Sequence, residues 1–187
     1  MSFDEEGLRL LTGLQGNPFL DPLMLLMAVI GLSYVWAMII IPLVLRRKYD
    51  LAFDFLVVLV VTDLATFLLK LAIGRPRPEG VPVLSLPGAW ELVSNSSFPS
   101  GHAARVAVGS LMIGWHYRIA LPGLLGFTGV MAISRVYLGV HWPTDVLAGV
   151  VQGVALFGLW LWISQRPRYE SLRRLVFRQF NRIRSLR

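Results

Sequence analysis

Long apolar runs, parted by short polar and charged junctions, dominate the chain. Crossing a hydrocarbon core as helix takes about 20 predominantly apolar residues. Five stretches meet or approach that length: residues 21–45, 51–73, 101–117, 119–138 and 143–163. Only RIALPG separates the third from the fourth, with Pro122 suited to a helix's opening turn, so these two are expected to be antiparallel neighbours. The pattern predicts an all-α, polytopic membrane helical bundle of about five transmembrane helices. No linker, low-complexity tract or internal repeat divides it, so residues 1–187 are expected to form one membrane-embedded domain.

The two ends depart from this pattern. The N-terminal MSFDEEGLRLLTGLQGNPFLDPL lacks the basic start and small-residue cleavage site of a signal peptide and is expected to be retained, with LRLLTGL as a short interfacial turn. In the tail, Leu172, Leu175, Val176, Phe180, Ile183 and Leu186 recur at helical spacing among arginines. Residues 165–187 therefore read as an amphipathic basic helix lying on anionic headgroups, equally well explained as a charged tail that fixes topology or as a regulatory one.

Composition agrees: 55% of residues are hydrophobic and mean hydropathy is +0.62, which excludes an ordinary soluble domain. The absence of cysteine excludes disulfides and thiolate metal sites. A net charge of +7 would suggest nucleic acid in a soluble protein, but here it sits at the ends of apolar runs and reads as topology, so no nucleic-acid partner is expected. Arg46, Arg47 and Lys48 follow the first run, Arg118 the third, and eight arginines lie between Arg166 and Arg187. With five spans these all fall on one side, and Asp4, Glu5 and Glu6 on the other, so the C-terminus is expected in the cytoplasm and the N-terminus outside. Trp90 and Trp142 then fall near the outer boundary, Trp115, Trp160 and Trp162 near the inner one, and Trp36 deep.

This topology gathers Lys70, Arg75, Arg77, His102, Arg135, His141 and Asp145 at the outer face, where cations run against the positive-inside bias. A single ionisable residue at a span's end is as readily a helix-locking pair as a functional group. Here three clusters converge: LKLAIGRPRP, FPSGHAAR and SRVYLGVHWPTD. Lys70, Arg77 and Arg135 supply positive charge, and guanidinium forks match phosphate oxygens. Ser100 suits a helix N-cap, and the backbone amides of Gly101 and His102 open a helix at its positive dipole end, an anion site that glycine leaves unobstructed. Histidine can attack phosphorus or donate a proton, and two of them allow a division of roles. Asp145, four residues after His141, is placed to accept the His141 ring N–H. A metal bound by the two histidines and the aspartate is the competing reading, and the cations on the same face weigh against it.

These segments resemble the signature of the type 2 phosphatidic acid phosphatase superfamily. Lys70 with Arg77-Pro78 satisfies its first element, Pro99-Ser100-Gly101-His102 its second, and Ser134-Arg135, His141 and Asp145 its third, in order across residues 70–145. The resemblance implies that His141 attacks phosphorus with Asp145 supporting it, and that His102 protonates the leaving oxygen. It implies that Lys70, Arg77, Ser100, Gly101 and Arg135 hold the phosphate, with no metal and no cofactor. Many members carry an additional N-terminal span, which this sequence is expected to lack. Arg75-Pro76 duplicates the Arg-Pro element two residues early, and Arg75 is expected as an auxiliary headgroup contact. Arg105 either reaches a second phosphate or pairs with Asp63 inside the bundle. His116 reads as an interfacial residue, and Gly149 with Gly153 as a site of close helix packing.

The expected function is hydrolysis of a lipid phosphate or diphosphate in the cell membrane, at its extracytoplasmic face. The apolar loop EGVPVLSLPGAWELVSNSS would flank the headgroup, and the lipid would enter sideways between helices. A polyprenyl diphosphate is favoured, with phosphatidylglycerophosphate, phosphatidate or lipid A as alternatives. A lipid phosphotransferase would use the same residues. Five spans argue against a soluble haloperoxidase with a similar pocket, and a channel would not require this set of residues. The oligomeric state is not legible in the sequence.

Overall fold

The computed structural model describes residues 1–184, with side chains to Val176. It is all-helical in its regular structure, and its ten α-helices among the described residues begin with α1 (Phe3–Thr12). LRLLTGL is thus mostly helix rather than turn. Ser2 and Glu5 form a reciprocal capping box, and Asp4, Glu5 and Glu6 lie in the first turn, where acidic groups favour the helix dipole.

The first expected span is broken into α2 (Leu20–Ile30), α3 (Ser33–Ala37) and α4 (Ile40–Leu45), with a 62° bend between α2 and the rest. α5 (Tyr49–Ile73) is a full-length crossing that stops at Gly74, whose left-handed φ of 59° suits a residue without Cβ. A short α6 (Ala89–Asn95) follows an extended segment, then α7 (Gly101–His116), α8 (Leu121–Tyr137), α9 (Pro143–Ser164) and α10 (Pro167–Arg184). RIALPG does make a tight connection, a 3-10 turn over Arg118–Ala120.

Among the described residues, three helices are long and apolar enough to cross a membrane, and a fourth crossing exists if the bent pair counts as one. The expected span over 101–117 is the shortest of the five, although α7 runs from the end of the bundle that holds Ser100 to the end that holds Tyr117. At 16 residues α7 is about 24 Å long, short of a ~30 Å hydrocarbon core. It serves as the bundle's axis: Ala103, Ala104, Val106 and Val108 are completely buried. Small residues permit this. A Cβ on Gly149 would stand 2.4 Å from the Ser100 carbonyl oxygen, and one on Gly153 would stand 2.6 Å from that of Ala104, so α9 lies directly against the α7 backbone. On α7's other flank, a Cβ on Gly109 would meet the Trp36 ring at 2.3 Å, which seats the deep tryptophan in the core. Leu56, Val60, Leu64, Ile133, Leu147 and Val151 face outward, as a lipid-exposed belt does.

At one end of the bundle Lys48 Nζ donates to Tyr117 Oη at 2.6 Å. At the same end α10 packs back onto α5: buried Asp54 accepts from Tyr169 Oη at 2.7 Å and from Arg173 Nη1 at 3.2 Å. The first turns of the basic tail are therefore tied to protein as well as available to headgroups. Leu186 lies outside the described residues, as do the side chains of Phe180 and Ile183. His116 is not merely interfacial: its Nδ1 lies 3.0 Å from the Met112 carbonyl oxygen, and its ring packs near Trp160.

Candidate active site

The opposite end of the bundle holds the charged clusters. α5 carries Lys70 to its last turn, where the side chain is buried and its Nζ donates to the Ser96 carbonyl. After Gly74 the chain runs extended and returns beside itself, with Pro76 bridged to Ser96 and Ser97 N donating to Arg75 O at 2.7 Å. This fixes Arg77, whose Nε and Nη1 donate to the carbonyls of Ser94 at 3.1 Å and Val140 at 2.8 Å. Ser100 N donates to the Asp145 carbonyl at 2.9 Å, which ties the start of α7 to the start of α9.

Around these ties lies a cavity of about 570 Å³. Lys70, Arg77, Gly101, His102, Arg105, Arg135 and His141 all line it. Residues from five separate stretches of chain thus meet in one place. Its walls carry four cations and one carboxylate, Asp63. Arg135 is buried, and among the described residues its Nε has no hydrogen-bond partner, an arrangement suited to receiving an anion. A Cβ on Gly101 at the cavity wall would stand 3.2 Å from Thr66 Cγ2 and 3.3 Å from Arg105 Nη2, so those side chains would have to shift slightly to admit it. Leu64, Phe67, Trp90 and Val93 make an apolar side, with the Phe67 and Trp90 rings edge to face at 5.4 Å.

His141 reaches the cavity with its ring otherwise enclosed. Its Nδ1 faces Asp145 Oδ2 at 3.6 Å, too long for a hydrogen bond but close enough for strong electrostatic coupling. Burial pushes the imidazolium down to about 4; Asp145 opposes this, while Arg77, Arg135 and Lys70 add to it. The ring is therefore neutral near pH 7. Asp145 is completely buried behind it, with Oδ1 accepting from Arg75 Nη1 at 2.7 Å and Oδ2 from Trp142 N at 2.9 Å.

Three sequence expectations change. Arg75, expected as an auxiliary headgroup contact, is not among the residues that line the cavity and is bonded to Asp145, Thr144 and Asp4. Ser100 stands at the N-cap position, yet its hydroxyl makes no cap bond and is buried without a partner outside the cavity lining. Arg105 both faces the cavity and pairs with Asp63, its Nε donating to Oδ1 at 2.6 Å and its Nη1 to the Gly31 carbonyl at 2.7 Å. Trp142 is held by its Nε1 bond to the Pro76 carbonyl at 3.0 Å.

Some participants carried no sequence signal. Gly31 lies at the break between α2 and α3, where a Cβ would stand 2.5 Å from the His102 ring. Leu64 and Phe67 read as ordinary span residues. Asp4 read as topology charge.

The fold and cavity together define a polytopic membrane helical protein with a cationic, two-histidine pocket at one end of its bundle. The chain belongs to the PAP2 superfamily, which it matches over residues 51–169. It is 36% identical over 89 residues to a decaprenylphosphoryl-5-phosphoribose phosphatase of Mycobacterium tuberculosis, covering 48% of each chain. It is 28% identical over 142 residues to an undecaprenyl-diphosphatase of Sulfolobus acidocaldarius, covering 72% of this chain and 66% of that one. The chain spans about half the length of the mycobacterial relatives it matches, 48%. Among solved structures, it resembles the PAP2-type phosphatidylglycerolphosphate phosphatase of Bacillus subtilis at a TM-score of 0.64 and 27% identity, covering 87% of this chain and 84% of that one. The fold also matches LpxE of Aquifex aeolicus, with a TM-score of 0.72, 24% identity, and coverage of 86% and 96%.

Proposed function

We propose that the protein is a metal-independent lipid phosphatase that works through a phosphohistidine, and that its substrate is a polyprenyl diphosphate. The observation that carries this reading is the cavity itself, where cations far outnumber carboxylates around two histidines and an apolar wall. Lys70, Arg77 and Arg135, with the Gly101 backbone, hold the phosphate and the charge that develops in the transition state. His141 Nε2 attacks phosphorus; the bond from phosphorus to the leaving oxygen breaks, and His102 gives that oxygen its proton. Water then attacks the phosphohistidine, losing its proton to His102, and the nitrogen–phosphorus bond breaks to release inorganic phosphate. Asp145 keeps Nδ1 protonated and supports the positive ring.

Leu64, Phe67, Trp90 and Val93 suit the first units of a lipid chain entering from the bilayer. The surplus of cations favours a diphosphate over a monoester, whose charge is at most about −2. Relatives named undecaprenyl-diphosphatase support the same choice. Phosphatidylglycerophosphate and phosphatidate are the second reading, supported by the relative named phosphatidylglycerophosphatase B, 38% identical over 125 residues.

The test is release of inorganic phosphate in detergent from a polyprenyl diphosphate, phosphatidate and phosphatidylglycerophosphate, with and without chelator. The polyprenyl diphosphate is expected to be turned over fastest, chelator to have no effect, and His141→Ala to lower kcat by at least about a thousandfold. Activity surviving in His141→Ala overturns the mechanism, and chelator sensitivity reinstates a metal. Transfer of the phosphoryl group to an added lipid alcohol in place of water makes the protein a phosphotransferase.

A further inference from the structure

The bonds that hold Asp145 lead away from the cavity to the N-terminal helix. Arg75 spans two carboxylates: its Nη1 donates to Asp145 Oδ1 and Thr144 Oγ1, each at 2.7 Å, and its Nη2 to Asp4 Oδ2 at 2.6 Å. Asp4 in turn grips the residue before Asp145. Its Oδ1 accepts from Thr144 N at 2.9 Å and its Oδ2 from Thr144 Oγ1 at 2.7 Å. The first turn of α9 is therefore clamped by one residue of α1 from more than a hundred positions away. Burial works to raise the Asp4 pKa, but the Arg75 and Thr144 bonds outweigh it and leave the carboxyl below its usual range, hence ionised.

The helix that carries Asp4 is itself fastened. A Cβ on Gly7 would stand 2.8 Å from Pro143 Cγ, so α1 sits directly on the opening of α9. Leu8 and Leu11 pack with Val136 and Val146. Just beyond α1, Gln15 Nε2 donates to the Tyr137 carbonyl, and Tyr137 Oη donates to the Leu14 carbonyl at 3.0 Å. A docked helix of this kind transmits position, whereas a floating interfacial one would not.

We propose that Asp4, acting through Arg75 and Thr144, is a positioning residue for the His141–Asp145 pair, so that the N-terminal helix sets the orientation of the carboxylate behind the nucleophile. This rests on the phosphohistidine reading above. Arg75 divides its charge between Asp4 and Asp145 and thereby tunes how strongly Asp145 acts on His141. The other charged or titratable groups that bear on His141 are Lys70 from α5, Arg77 from the extended segment, His102 from α7 and Arg135 from α8. None of these is hydrogen-bonded to Asp4.

The clamp gives opposite electrostatic effects from its two members. In Asp4→Asn, Arg75 keeps its charge but loses one partner, so it cancels more of Asp145, and the His141 pKa falls. In Arg75→Gln, Asp145 is left uncancelled and the His141 pKa rises. Both variants misplace the carboxylate, so both lose turnover.

The experiment measures kcat, KM and the acid limb of kcat/KM on one lipid phosphate for wild type, Asp4→Asn, Asp4→Glu, Arg75→Gln and Glu6→Gln. His141→Ala is included, and melting in detergent is followed for all. Using one substrate cancels its own ionisation from the comparison. Asp4→Asn is expected to lower kcat about tenfold and Arg75→Gln about a hundredfold, with KM within about twofold. Their acid limbs should move down and up respectively, and Asp4→Glu should recover part of the loss. Glu6→Gln, which removes the same charge from an exposed site on the same helix, should match wild type. Unchanged kcat in Asp4→Asn overturns the proposal, as does a loss that follows melting temperature with no movement of the acid limb. Full activity in His141→Ala instead removes the reading beneath it, a result distinct from either.

Discussion

Arg105 carries two demands at once. Asp63 and the Gly31 carbonyl occupy its Nε and Nη1, yet the residue lines the cavity and its Nη2 stands near Gly101, where a phosphate would lie. A guanidinium has five donors, so pairing with Asp63 and contact with a second phosphate are compatible. The sequence offered these as alternatives, because a lone Arg and a lone Asp in apolar helices show only that each needs a partner. The two roles separate by substrate. Arg105→Lys preserves charge but loses the fork, and it is expected to lower kcat/KM for a polyprenyl diphosphate about tenfold more than for the corresponding monophosphate. Parallel kinetics on the two lipids check this, and equal losses would assign Arg105 to structure alone.

At the scale of elements, the decisive contact is between α7 and α9. It places His102 at one helix start and His141 just before the other, and the Ser100 to Asp145 backbone bond locks the two starts together. Gly149 and Gly153 make that approach feasible, and the sequence spacing already marked them as a packing pair. A methyl at Gly149 would meet backbone, which cannot rotate aside, so Gly149→Ala should destabilise the protein by about 1–3 kcal/mol and reduce activity with it. Gly158, on the same helix, has no atom within 4 Å of an added Cβ, and Gly158→Ala should be neutral or slightly stabilising. Thermal melts and turnover in the same detergent compare the pair.

Elements also show where sequence reading stops. Lys70, Arg77, His102, Arg135 and His141 lie in short patterns of fixed spacing at span ends, so their candidacy was visible locally. The tasks of Arg75 and Asp4 depend on contacts across about 70 and 140 residues, which no local period records. Hydropathy likewise marked 21–45 and 101–117 as spans but was blind to the 62° bend at Gly31 and to the burial of α7 on all sides. Apolar length looks the same whether its surroundings are lipid or protein.

The whole molecule is polarised. One end gathers Lys48 beside Tyr117 and the basic α10 against α5; the other gathers α1, the extended segment after Gly74, and the cavity. By the positive-inside bias, the basic flanks at the end remote from the cavity predict a cytoplasmic position for that end and an outer-face position for the cavity. The cations around the cavity do not spoil the argument, since Arg75, Arg77 and Arg105 are bound to carboxylates or carbonyls within the fold rather than to loops awaiting translocation. Because the chain has no cysteine, single substitutions report cleanly on sidedness. Glu79→Cys, exposed beside the cavity end, is expected to react with a membrane-impermeant maleimide in intact cells. Ser171→Cys, exposed on α10, is expected to react only after permeabilisation. The reverse pattern would put the cavity in the cytoplasm and make its lipid substrate one presented on the inner leaflet.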